Sequence, residues 1–133
     1  PAGTRLEWII DSAGLQDMGL TYAVGNLVAC IPWEEDHTGV VDPPDEALAA
    51  CRPRLEHLLA LAYPRAVVTL GTPAQKAFEV KNKKRIALPE DVVFLHLVHP
   101  AAILRCNLAQ QETLTRRCVV QLQDLCEQLA RGQ

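Results

Sequence analysis

"RAVVTLGTPAQKAF", Arg65 to Phe78, holds a short continuous apolar run that is closed by a glycine and followed at once by a helical segment. A run of this length without polar alternation is the pattern of a strand buried on both faces, as in the centre of a parallel sheet. The residues from Thr72 to about Phe78 then predict a helix. A strand that passes directly into a helix is half of a βαβ unit, so this stretch points to an α/β fold.

The alternation continues on both sides of it. Upstream, "LTYAVGNLVAC", Leu20 to Cys30, is mostly apolar and rich in β-formers, which predicts another buried strand. Before it, Leu6, Ile9, Ile10 and Ala13 fall at helical spacing, with Thr4 as a plausible N-cap and Gly14 as the stop. From Asp45, a good N-cap, "EALAACRPRLEHLLALA" reads as helix, and Pro53 is an interruption that could kink it or divide it in two. Downstream, "DVVFLHLVH", Asp91 to His99, predicts a further strand. Cys106 to Arg131 closes the chain with a helix carrying Leu114, Val119, Leu122, Leu125 and Leu129. The order helix, strand, helix, strand, helix, strand, helix is that of a three-layer α/β/α sandwich around a small parallel sheet, joined by right-handed crossovers. Because the chain opens on "PAG" directly before a helix, as though a strand and loop preceded it, the expectation is a sheet of about four strands, one of them before Pro1.

Composition narrows the class. The chain has 133 residues, 49% hydrophobic and 22% charged, which suits one globular domain with a real core. No apolar run approaches the roughly 20 residues that span a bilayer, and "PAGTRLEW" has no signal-peptide character, so a soluble, intracellular and cytoplasmic protein, monomeric and without a membrane partner, is expected. Five cysteines, Cys30, Cys51, Cys106, Cys118 and Cys126, form no tight framework and favour thiols or metal ligands over disulfides. The net charge of -3 argues against wholesale coating of nucleic acid. Its distribution is uneven, with acids crowded between Glu34 and Glu46 and the basic cluster "KNKKR" at Lys81 to Arg85, which is either a solvated loop or a phosphate contact.

In open α/β sheets ligands bind beyond the carboxyl ends of the strands. Three loops qualify: Asn26 to Pro44, Gly71 to Pro73 and His99 to Arg105. In the last, "LHLVHPAAILR", the strand ends on His99 and Pro100 bars its extension. On residue type alone, a histidine there is more often a structural hydrogen-bonder than a catalyst. Asn26, inside an apolar strand, either caps neighbouring backbone or presents a planar donor and acceptor to a ligand, and Gly25 before it permits close approach.

Together these pieces form a pattern. "HPAAILR" resembles the His-Pro-Ser-x-x-Leu-Arg signature of the uracil-DNA glycosylase superfamily. "GNLVACIP" is similar to that superfamily's Thr-Asn-x-Val-x-Cys-x-Pro strand. "EALAACRPRLEHLLALAYPRAVVTLG" is similar to its Glu-x-x-x-Cys-x-x-x-Leu helix and Val-x-Leu-Gly strand, and "PAGTRLEWIIDSAGL" to the helix after its first catalytic loop. The pieces occur in the family's order over nearly the whole chain, and the nearest branch is the one that carries an iron–sulfur cluster. By this resemblance residues 1–133 correspond to the C-terminal two thirds of such an enzyme. The loop that positions water and the aromatic that stacks on uracil would then lie before Pro1.

The resemblance implies a DNA-repair enzyme that flips uracil out of uracil-containing DNA and hydrolyses its N-glycosidic bond, leaving an abasic site. It gives Asn26 the reading of the uracil edge and His99 a hydrogen bond to uracil O2 that stabilises the departing anion. It puts the loop of Ala101, Ile103, Leu104 and Arg105 on DNA, with Ile103 and Leu104 as a wedge in the vacated stack and Arg105 on phosphate. Read without the family, Ile103 and Leu104 simply anchor the next helix in the core. Cys30 and Cys51 match two of the four thiolates of a [4Fe–4S] cluster, at a spacing wider than the family's usual one. Cys106, Cys118 and Cys126 read as buried apolar residues. His37 falls where one branch carries a reactive histidine in a basic insert, but the basic residues are lacking, and a solvated loop histidine is favoured. His57 and His96 draw no special role. A non-catalytic relative that binds DNA or a protein with the same fold is the alternative. An unrelated nucleotide-binding α/β domain is disfavoured because no glycine-rich phosphate loop is present.

Overall fold

The computed structural model describes residues 2–25, 45–79, 81, 85–88 and 90–131. Helix α1 spans Ala2–Ala13, α2 Asp45–Ala62, α3 Thr72–Phe78, α4 Pro100–Leu104 and α5 Leu108–Arg131, and the strands β1 and β2 are Ala66–Leu70 and Val93–Leu97. A short 3-10 turn, Gln16–Met18, follows α1. The two strands form one sheet. They run parallel, since Val93 N–H donates to Arg65 O and Gly71 N–H donates to Leu97 O, each at 3.0 Å, so the pairing advances in the same direction along both strands. The α/β class therefore holds. Among the described residues the sheet has two strands, against the three read in the chain and the four expected of the fold.

The difference lies in Leu20 to Cys30. Its described part, residues 20–25, is not strand, and Tyr22 and Val24 are exposed. β-propensity measures fit to a paired, half-buried surface, and among the described residues this segment has no pairing strand. Asn26 to Cys30 lie outside the described residues.

Contacts divide the chain into two compact units. The first contains α1, the 3-10 turn, Val68–Thr72 and everything from Phe94 onward. Its core is built by Ile9, Ile10 and Ala13 of α1, Leu97 of β2, Ile103 of α4, and Cys118, Leu122, Leu125 and Cys126 of α5. The buried stripe of α5 is Thr115, Cys118, Leu122, Leu125 and Cys126, a helical 3–4 spacing centred one residue away from the Leu114, Val119 and Leu129 of the sequence reading. Those three are half-buried. The two cysteines thus act as small apolar core residues, and burial pushes both thiols above the ordinary range. Helix α1 packs against α5 and α4. Arg5 ties α1 to α5 by donating to Thr115 Oγ1 and Gln111 Oε1, each at 3.4 Å, and Gln123 Nε2 donates to Ser12 O at 3.3 Å.

The second unit contains α2, α3 and the described residues around the basic cluster. Helix α2 continues through Pro53 as one element, so the proline does not divide it. Arg52 pairs with Glu56 one turn on and donates through Nη2 to Arg85 O at 2.8 Å. Ile86, buried, donates its N–H to Ala77 O at 2.7 Å. These two bonds fix the end of the basic cluster to α2 and α3. Residues 82–84 of that cluster lie outside the described residues.

Candidate active site

The site grows from the way β2 ends. Beyond Leu97 the chain reaches His99 in an extended conformation, φ -65° and ψ 134°, and turns into α4. Pro100 takes the first helical position, where its fixed φ suits the helix and its missing N–H costs nothing. The first amide that needs an acceptor is then Ala101 N–H, and it donates to Nδ1 of His99 at 3.0 Å. His99 is thus the N-cap of α4, with an imidazole nitrogen in the role usually filled by a serine or aspartate oxygen.

This bond decides the chemistry of the ring. An Nδ1 that accepts is unprotonated, so the proton of the neutral imidazole sits on Nε2, which becomes a donor. His99 is exposed, and partial desolvation of its ring at the strand end, with the Arg105 guanidinium second, lowers its pKa below the ordinary imidazole value. Neutral His99 with an Nε2 donor is therefore the form favoured at neutral pH. What such a group can do is stabilise negative charge developing on an oxygen opposite it.

The other end of α4 is held as firmly. Gln111 of α5 donates from Nε2 to Leu104 O at 3.3 Å and to Cys106 O at 2.9 Å, satisfying carbonyls that a helix end leaves without partners. Asn107 caps α5, its Oδ1 accepting from Gln110 N–H at 2.9 Å. The five residues of α4 are thus set between two caps. Arg105 is exposed at its C-terminus, and Leu104 is half-buried and lines an open groove with Trp8 of α1 and Leu108 of α5.

Ile103 is the correction. Its side chain is 0% exposed and belongs to the core of the first unit, so it is not available as a wedge. The register of α4 turns Ile103 inward while Leu104, one position on, reaches the surface. The Ala101 N–H is taken up by His99 Nδ1.

Of the remaining predicted residues, Asn26, Cys30 and His37 lie outside the described residues. Cys51 is half-buried on α2, in the second unit. Among the described residues no group of three or more histidine, cysteine or acidic side chains is placed to hold a metal ion. His96, given no role by sequence, has Nδ1 3.1 Å from Oγ1 of the buried Thr69, a cross-strand pair inside the sheet. Gly71 lies in one of the three candidate loops with no role on residue type alone, although its place at the carboxyl end of β1 marks it. Nothing in the sequence signals Gln111.

The Uracil DNA glycosylase superfamily model matches residues 1–123. The chain belongs to the uracil DNA glycosylase superfamily. A comparison with curated proteins gives no match. Superfamily membership supports a glycosylase-like hydrolase that acts on DNA. Among the described residues no helix is long and apolar enough to cross a membrane.

Proposed function

We propose that the chain acts on uracil in DNA, hydrolysing the N-glycosidic bond to leave an abasic site. The observation that carries this reading is the Ala101 N–H to His99 Nδ1 bond, which leaves Nε2–H as a donor at the strand end. Uracil must leave the stack to reach a protein group, at a cost of a few kcal/mol. Leu104 fills the vacated space and Arg105 meets phosphate, which offsets that cost. Asn26 reads the uracil edge through its amide. As the bond between C1′ and N1 breaks, the electron pair goes to the base and charge gathers on O2, where His99 Nε2–H donates. Water supplies the hydroxyl to C1′, and its proton ends on the base or in solvent. Incubating the intact protein with a single-uracil oligonucleotide and looking for free uracil tests the reading.

The ring's charge state gives a second check. Protonation of Nδ1 would set an N–H against Ala101 N–H, so the imidazolium loses its cap and the rate falls on acidification. Because the folded pKa is depressed, this acid limb lies below the ordinary imidazole pKa of about 6.5. The same depression makes the stability linked to neutral His99 present above the unfolded pKa and lost as pH falls through the folded one. Arg105→Ala removes the secondary cause, so the acid limb is expected to move up toward the ordinary value. In the same variant DNA binding weakens, and the slope of log affinity against log salt becomes shallower by about one.

We also propose Cys30 and Cys51 as ligands of a [4Fe–4S] cluster in the intact protein. A cluster takes four thiolates as a rule, and Cys51 is the one of this pair among the described residues, so these residues fit a cluster only as part of a larger donor set. Cys51→Ser is expected to lower the iron and acid-labile sulfide content of the purified protein. Unchanged iron content, or none in the parent, counts against the assignment.

A further inference from the structure

We propose that Gly71 is a positioning residue for His99: the absence of a side chain at the end of β1 lets the imidazole seat against the strand end in the orientation that excision uses. The inference rests on the reading of His99 above and adds the surface that sets its place.

Gly71 follows β1 directly and has φ +86°, a conformation that side-chain-bearing residues rarely adopt. Its N–H donates to Leu97 O at 3.0 Å, which locks it to β2 two residues before His99. A Cβ on Gly71 would lie 3.2 Å from His99 Cβ, 3.6 Å from Cδ2 and 3.7 Å from Cγ. The closest of these atoms is the root of the histidine side chain, and it does not move when the ring rotates about χ1. Relief therefore requires the backbone of residue 99 to shift, and that backbone also carries the cap to Ala101. Gly19 supplies the contrast. It has φ +71° and would meet nothing within 4 Å, so its glycine answers to backbone conformation alone.

The comparison of Gly71→Ala with Gly19→Ala in the intact protein separates positioning from strain. Gly71→Ala is expected to lower kcat for uracil release by about tenfold or more with KM within about twofold, as a small misplacement of a reacting group does. It also moves the ring-nitrogen NMR shifts of His99, which report the proton on Nε2 and the acceptor role of Nδ1. Gly19→Ala leaves both at parent values while lowering the melting temperature. Parent-like kcat and parent-like His99 shifts in Gly71→Ala overturn the proposal. If Gly71→Ala does not fold, His99→Gly alone and combined with Gly71→Ala decide the matter: a double variant that loses no more stability relative to His99→Gly than Gly19→Ala loses relative to the parent supports the contact, and a larger loss overturns the proposal. If the parent itself releases no uracil, the functional reading fails, and the His99 shifts still decide the role of Gly71.

Discussion

His99→Ala is expected to lower the single-turnover rate of uracil release by about a hundredfold or more, the loss typical of one oriented donor to a developing oxyanion, about 3 kcal/mol. The donor acts on charge that is small in bound DNA and large at bond breaking, so the loss appears in the rate and little in DNA affinity. The variant also removes the N-cap of α4, which costs about 1 kcal/mol of stability. Assays well below the melting temperature keep the two effects apart. Equal rates for parent and variant would remove His99 from the reaction.

The second large effect separates two neighbours. Ile103→Ala empties a fully buried site between α4 and the core of its unit and is expected to cost about 2–5 kcal/mol of unfolding free energy, read as a lower urea midpoint at an unchanged slope. Leu104→Ala, at a half-buried position, leaves the midpoint nearly in place. Its effect is on duplex DNA: uracil release from a duplex slows more than release from a single strand, because only the duplex demands unpairing and unstacking. A Leu104→Ala protein that treats both substrates as the parent does is not using Leu104 as a wedge. An Ile103→Ala protein as stable as the parent would place that side chain outside the core.

Arg65 to Phe78 was legible because strand, glycine and helix follow one another without ambiguity, and α3 has the bounds read from the sequence. The helix stop at Gly14 was legible for a similar reason, and its φ of +80° is the conformation a stop requires. Leu20 to Val24 misled because β-formers report a surface that suits a strand, whereas pairing depends on a partner elsewhere in the chain. At the site, the residue types of "HPAAILR" pointed to the loop. Which of its apolar side chains faces inward did not follow, since five residues make barely more than one helical turn and the register is set by packing on α1 and α5. The tautomer of His99 was equally hidden, because it depends on a backbone amide two residues on, and amides are common to every residue type but proline.

The decisive measurement is release of free uracil from a single-uracil oligonucleotide by the intact protein, under single-turnover conditions across the acid range. Free uracil with an abasic strand, at a rate that falls on acidification only below the ordinary imidazole pKa, is the predicted result. An intact protein that binds the oligonucleotide and releases no uracil at any pH would contradict the account and leave the fold as a binding module.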